Sequence, residues 1–253
     1  MTEFVSIEDH GPVRLITMNR ADKKNALTHA MYAALADGIA GTDADPALRV
    51  TVITGAADSF TSGNDLADFA APQPAVRPVE RFLQTIATAK KPLFAAVNGL
   101  AVGVGVTMLL HCDVVYAAPE ATFTMPFTNL ALVPEAGSSL LLPRLAGHQR
   151  ASEILLFGEP FDAAEAARLG IVNRVVPRAG LVAFALERAA LLATKAPAAV
   201  RLTKQLLKSA GTNVPDRIEE EGAIFQAQMK TAEAAEAFTA FRERRKPDFS
   251  KFG

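Results

Sequence analysis

The chain has 253 residues, 50% of them hydrophobic, and its 26 Lys plus Arg against 27 Asp plus Glu give a formal net charge of -1. That balance excludes a global attraction to nucleic acid or to an anionic membrane surface. A single cysteine, Cys112, excludes an internal disulfide framework, and the length suits one large domain or a core with a smaller appendage.

Met1-Thr2-Glu3 leads straight into alternating strand-like residues with no basic start, so no signal peptide is expected. Phe4, Val5 and Ile7, then Val13, Leu15 and Ile16, flank Asp9-His10-Gly11-Pro12 and predict a β-hairpin. A polar loop, Asn19 to Leu27, carries Arg20, Lys23 and Lys24. Thr28 is placed to cap a helix whose apolar positions Met31, Leu35 and Ile39 recur at helical spacing, with Gly41 as its expected end. Asp43 and Asp45 then fall in an expected loop, where solvated aspartates are commoner than a metal pair.

Arg49 to Gly55 is a β-branched run and predicts a strand, and Phe60 to Leu66 a turn that starts a helix. Residues 70 to 78, with Pro72, Pro74 and Pro78, are expected to form a loop bordering the ligand. Val79, Phe82, Leu83 and Ile86 mark an amphipathic helix. Leu93 to Gly99 predicts another strand and about Gly103 to Leu110 a buried helix. That uncharged stretch is interrupted by Asn98, Gly99, Gly103 and Gly105, so it does not read as a membrane span.

Asp113 to Ala117 and Thr122 to Met125 predict further strands. The recurring unit is strand, glycine-containing turn, helix: an α/β chain. Asp162 and Glu165 form a capping-box pattern closed by Gly170, and Ile171 to Val176 is an expected terminal strand. Residues 178 to 244 read as helix, broken at Pro197 and around Gly211 to Pro215. The face Arg201, Lys204, Lys208 reads as solvated, with phosphate binding as the alternative. Ala234, Ala235, Phe238 and Phe241 give the tail an apolar stripe. The terminal Lys251-Phe252-Gly253 is not a peroxisomal signal, and a cytoplasmic location is expected.

The chemistry is expected at Val133-Pro134-Glu135-Ala136-Gly137-Ser138-Ser139. A carboxylate between apolar runs is poorly solvated, which raises its pKa and suits it to acid/base work near neutral pH. On these residues alone, a solvated glutamate complementing a helix N-terminus is the favoured reading, and the rest of the chain has to reverse it. Gly99 to Gly105 fits Gly-x-x-x-Gly-x-Gly, but it lies mid-chain, and neither Tyr32 nor Tyr116 is followed by a lysine four residues on. A dehydrogenase is therefore rejected. The glycines still allow close backbone approach at a helix start, and the turn at Ser62-Gly63-Asn64 offers the same. Two such turns can make an oxyanion hole. His10, His29, His111 and His148 lack metal-ligand spacing, and Gly137-Ser138-Ser139 lacks the closing glycine of a serine-hydrolase elbow. His111 and Cys112 are expected to pack in the core.

These motifs together resemble the crotonase superfamily, the enoyl-CoA hydratase/isomerase proteins, over nearly the whole chain. The matching segments include Asn19-Arg20 through Leu27, Phe60 through Leu66, Lys90 through Gly105, Cys112-Asp113, Pro134 through Ser139, Arg168 through Val172 and Glu236 through Pro247. The resemblance implies a spiral of ββα repeats over residues 1–195 and a helical trimerisation region over 196–253. It further implies an acyl-CoA thioester substrate, a homotrimer or dimer of trimers, and no metal or cofactor beyond the coenzyme A of the substrate. The implied enolate donors are the amides of Asn64 and Val104, the latter where the family usually has glycine. Acyl-CoA is expected against Lys23, Lys24 and Ala26, against Ser62, Gly63, Asp65 and Leu66, and against Gly103, Thr107 and Phe127. The lysines also read as simply solvated. The two glutamates with which hydratases activate water would align with Thr107 and Phe127, so both are missing. Glu135 stands where Δ3,Δ2-enoyl-CoA isomerases, most of all those of the peroxisomal type, carry their single catalytic glutamate. The resemblance thus implies isomerisation in fatty acid β-oxidation, with a hydratase, another crotonase-type enzyme or a non-catalytic acyl-CoA-binding protein as alternatives.

Overall fold

Val5–His10 (β1) and Val13–Met18 (β2) pair antiparallel, the hairpin predicted around Gly11. The computed structural model describes residues 2–65, 67–68, 77–209, 222–225, 227–228 and 230–252, and of Phe241 the main chain alone. Parallel pairing extends the hairpin through Val50–Gly55 (β3), Leu93–Val97 (β5), Val114–Ala117 (β7) and Arg174–Val175 (β10) into a six-stranded sheet. A second sheet takes Ser59–Thr61 (β4), Leu100–Val102 (β6), Thr122–Thr124 (β8) and Phe161–Asp162 (β9), the last pair antiparallel.

The two strand orders rise together. β3 is followed by β4, β5 by β6 and β7 by β8, each step placing one strand in each sheet before the chain turns to helix. This is the α/β spiral of ββα repeats, and it puts the corners of successive turns next to one another. Alternation along the strands divides the core. Val50, Val52, Phe94, Ala96 and Tyr116 pack under Leu181–Ala193 (α7), through Leu181, Ala185 and Ala189. Ile53, Ala95, Val97, Val115 and Ala117 face the larger core, which includes Met31 and Leu35 of His29–Ala44 (α1) and Phe82 and Ile86 of Pro78–Thr88 (α2). β3 and β5 are buried on both faces, as parallel central strands are.

Several expectations are corrected. Gly41 does not end α1, which runs on to Ala44. A Cβ at Gly41 would meet only the movable end of the Arg14 side chain, at 2.9 Å, and the helix passes through this glycine without a break. Asp43 is helical, and its carboxylate accepts from the amides of Lys90 and Lys91 at 2.8 Å. Leu100–Val102, expected in a turn, is a strand, and the helix after it is short: Val104–Thr107 (α3) tightens at once into a 3-10 turn, Met108–His111. The terminal strand shrinks to Arg174–Val175, because Ile171 and Val172 bond back to Ala166 after Ala163–Arg168 (α6). The capping pattern is observed, with Asp162 accepting from the Glu165 amide at 2.7 Å.

The basic face of Pro197–Lys208 (α8) is not solvated at its centre. Lys204 is 5% exposed, and its Nζ donates to Lys91 O and Asp113 Oδ2 at 2.7 Å each. The expected loop at 70–76, the break at 211–215 and Leu66 lie outside the described residues. Among the described residues no helix is long and apolar enough to cross a membrane.

Candidate active site

Thr61 on β4 is paired with Ala101 on β6, and the two strands end side by side. Asn64 lies three residues past Thr61 and Val104 three past Ala101. The C-terminal ends of parallel strands are where α/β folds present main-chain groups to ligands.

Gly103, at φ 55° and ψ -114°, turns the chain from β6 into α3 while its own N–H donates to Thr124 O at 2.8 Å. Val104 is therefore the first residue of α3, and its N–H has no acceptor within the helix. Gly105 lets that helix close on β4, because a Cβ there would fall 2.7 Å from Thr61 Cγ2.

On the other side, Leu27 bridges Asn64. The Leu27 N–H donates to Gly63 O at 2.8 Å, and Leu27 O accepts from the Asp65 N–H at 2.9 Å. In a parallel bridge of this kind the N–H of the intervening residue, Asn64, points away from the partner strand. Neither the Asn64 nor the Val104 N–H has an acceptor among the described residues, although Val104 is 3% exposed. Buried N–H groups without partners are rare. Two unpaired N–H groups past neighbouring strand ends, one buried at Val104 and one partly buried at Asn64, can stabilise a developing oxyanion.

Glu135 lies in the loop before Ser138–Ala146 (α4), and its Oε1 accepts a hydrogen bond from Thr107 Oγ1. Thus α3 offers an amide from its first residue and holds the carboxylate with its last. Burial raises the Glu135 pKa, and the Thr107 hydrogen bond opposes that rise. The loop is anchored on both sides. Ser138 donates to Glu135 O through its N–H at 3.0 Å and its Oγ at 2.7 Å, and His111 Nε2 contacts Ala136 O at 2.7 Å. A carbonyl only accepts, so Nε2 carries the proton; burial lowers the His111 pKa and this bond opposes it. Ala136 sits at φ 54°, an uncommon conformation for a residue with a Cβ, next to the carboxylate it positions.

Tyr32, on α1, donates its hydroxyl to Asn64 Oδ1. Burial raises its pKa well above the usual phenol value, and the Glu135 charge adds to the rise. Tyr32 thus touches Asn64 and feels the Glu135 charge. A cavity of about 180 Å³ opens beside Tyr32 and Asn64, lined also by Leu27, His29, Arg77 and Val79; Glu135 is not part of its lining. A larger cavity of about 740 Å³ lies under the C-terminal tail at Pro247 to Phe252, away from these groups.

The structure places the remaining candidates as follows. Lys23 and Lys24 are exposed, and their carbonyls accept from Ser62 Oγ at 3.2 Å and Ser62 N at 2.9 Å, so the lysine loop lies against the Ser62–Gly63 turn. Ala26 is partly buried, with its carbonyl accepting from Arg20 Nη1 at 3.2 Å. The Asp65 carboxylate is engaged by Arg20 at 2.5 Å and by the amides of Ala67 and Asp68, and the Arg20 bond foremost holds its pKa low. Phe127 is buried in the main core cluster.

Three polar side chains escaped the reading of the sequence. Tyr32 and His111 brace the two halves of the site. Buried Asn25 accepts from Arg20 N and donates to Ala56 O and Ser59 O, fixing the lysine loop to the corner between β3 and β4. Tyr32 left one signal, a hydroxyl on the otherwise apolar face of Met31, Leu35 and Ile39, which requires a buried partner. No cluster of three or more His, Cys, Asp or Glu fit to hold a metal occurs among the described residues.

The sequence model of the family described as enoyl-CoA hydratase/isomerase matches residues 8–251. Enoyl-CoA delta isomerase 2 of Rattus norvegicus is 34% identical, over 95% of this chain and 64% of that protein. The 2,3-dehydroadipyl-CoA hydratase of Escherichia coli K12 is 35% identical, over 94% of each chain. A solved structure from Magnetospirillum magneticum AMB-1, provisionally named an enoyl-CoA hydratase/carnithine racemase, superposes with a TM-score of 0.96 at 45% identity, over 99% of this chain and 100% of that one.

Proposed function

The chain belongs to the enoyl-CoA hydratase/isomerase family, and from that premise we propose that it is a Δ3,Δ2-enoyl-CoA isomerase with Glu135 as its proton shuttle. The observation that carries this reading is the pairing of one half-buried, hydrogen-bonded carboxylate with two unpartnered amides. Ionised Glu135 takes a proton from C2 of a 3-enoyl thioester. The C2–H electron pair moves towards the thioester carbonyl, and the dienolate oxygen is held by the Asn64 and Val104 N–H groups. Glu135 then returns the proton to C4, and the double bond settles between C2 and C3.

Thr107 and Phe127 replace the carboxylates that water activation would use, and the shuttle needs no water. It is also redox-neutral, so we assign no cofactor beyond the coenzyme A of the substrate, which the reading places against Lys23, Lys24 and the Ser62–Gly63 turn. Assembly as a homotrimer or dimer of trimers belongs to the same reading. The exposed Leu130, Val133, Leu156 and Phe157 support self-association.

A hydratase is the second reading, favoured by the similarity to the E. coli hydratase. The test is a panel of 3-enoyl- and 2-enoyl-CoAs with products separated by chromatography. Conversion of 3-enoyl to trans-2-enoyl product without 3-hydroxyacyl-CoA is expected. Accumulation of 3-hydroxyacyl-CoA from 2-enoyl substrates, with the 3-enoyl substrates untouched, overturns the isomerase.

A further inference from the structure

We propose that Tyr32 is a positioning residue for the oxyanion hole, acting through the side chain of Asn64. Asn64 carries the proposed donor on its main chain, where its N–H has no acceptor among the described residues, and its side-chain Oδ1 accepts from the Tyr32 hydroxyl. The backbone bridge to Leu27 holds this peptide through Gly63 O, which shares its plane with the Asn64 N–H, and holds the next through the Asp65 N–H. Gly63, at φ 91°, precedes Asn64 in a conformation that glycine adopts without a Cβ clash. The hydrogen bond from Tyr32 to the Asn64 side chain adds a second restraint, from a different element, on the residue that carries the donor.

The phenol is built for this task rather than for filling space. Tyr32 is 2% exposed, and its ring packs on Phe82 with centroids 5.4 Å apart at 51°. A phenylalanine would satisfy that packing. A buried hydroxyl is retained only where it has a partner, and among the described residues that partner is Asn64 Oδ1. Burial and the Glu135 charge keep the phenol protonated, so it remains a donor throughout the working pH range. α1 is itself registered on this turn, since the His29 N–H donates to Asp68 Oδ2 at 2.8 Å and Thr28 caps the helix. Tyr32 therefore transmits the position of a rigid helix to the donor.

This inference rests on the oxyanion role of the Asn64 amide, and not on which double bond migrates. The test reads enolate stabilisation directly. Acetoacetyl-CoA is titrated into the full-length protein, and the ratio of enolate to keto form is read from the near-ultraviolet enolate band. Tyr32→Phe is expected to lower that ratio about 3- to 10-fold, the loss of one effective hydrogen bond. Binding of a saturated acyl-CoA should stay within about twofold of wild type, as expected for a contact that acts on the enolate alone. Asn64→Ala keeps the amide and the buried ring and should show a similar loss. The double variant should lose no more than Asn64→Ala alone.

A wild-type ratio in folded Tyr32→Phe, or losses that multiply in the double variant, overturns the proposal. If Tyr32→Phe does not fold by circular dichroism, Asn64→Ala decides alone, and a wild-type ratio there overturns it. A wild type that binds acetoacetyl-CoA without an enolate band removes the oxyanion hole and this proposal with it. Failure of the isomerase reading would instead show only in the 3-enoyl panel.

Discussion

The hydroxyl of Thr107 donates to Oε1 of Glu135, so one short helix both begins with an unpaired amide and ends by gripping the carboxylate. This hydrogen bond favours the ionised carboxylate, against a burial that favours the neutral one. Thr107→Val removes the hydroxyl at nearly constant volume. The Glu135 pKa then rises further, and the acid limb of kcat/KM for a 3-enoyl-CoA moves to higher pH. On that limb the variant is expected to run about 3- to 10-fold slower than wild type, the worth of one such bond, and the gap should narrow above it. An unchanged pH profile would disconnect Thr107 from the base.

Glu135→Gln keeps an acceptor for Thr107 and deletes the base. Isomerisation is expected to fall about 10²- to 10⁴-fold, the usual contribution of a positioned acid/base group. Calorimetric affinity for a saturated acyl-CoA should be nearly unchanged, since no contact to coenzyme A is assigned to Glu135. Turnover of 3-hexenoyl-CoA near the wild-type rate would remove Glu135 from the mechanism.

The same variant should be more stable than wild type at neutral pH. The folded protein raises the Glu135 pKa, so between the unfolded and folded values the folded state binds more protons. Stability contributed at this site is thus full below the unfolded pKa, near 4.3 for a glutamate, and is lost as pH rises through the folded one. The melting temperature of Glu135→Gln should exceed wild type above that window, by about 2–4 °C for each kcal/mol relieved. The excess should vanish towards pH 4. A gain that persists at low pH would point to some cause other than the charge.

Val104→Pro tests the second donor. Val104 is the first residue of α3, where proline is tolerated because the N–H has no helical acceptor. The substitution deletes that hydrogen and should cost about 10²- to 10³-fold in turnover, as removal of one oxyanion donor does. Circular dichroism should be retained. Full activity would show that the Val104 amide takes no part.

Lys204→Met probes the fold away from the site. The buried ammonium compensates Asp113 and caps the Lys91 carbonyl. Removing one partner of such a pair costs about 3–5 kcal/mol, read as a shift in urea midpoint at unchanged slope. A shift below about 1 kcal/mol, the scale of an exposed pair, would mean that the pair is effectively solvated.

The central strands were legible because β3 and β5 are unbroken runs of buried, largely β-branched or apolar residues. β6 was not, since three residues between Gly99 and Gly103 carry too little pattern to separate strand from turn. Gly41 read as a helix stop although the helix runs through it to Ala44, and Lys204 read as solvated because its partners Lys91 and Asp113 are distant in the chain. Asn64 and Val104 could be suspected from their turns, yet their unpaired amides exist only through the pairing of β4 with β6 and the bridge to Leu27. The hydrogen bonds from Tyr32 to Asn64 and from His111 to Ala136 join segments 32 and 25 residues apart, and no local pattern announces them.

Both proposed donors belong to the peptide backbone, and this separates two kinds of inheritance in the molecule. Apart from proline, no substitution at 64 or 104 can erase them, so the capacity to hold an enolate travels with the spiral itself. The proton-handling group is one side chain on a separate loop. Exchanging residues at positions such as 107, 127 and 135 would re-equip the same cradle for another reaction without redrawing a strand. A single fold can in this way accumulate different chemistries by point mutation, each variant starting with half of its catalytic apparatus already in place.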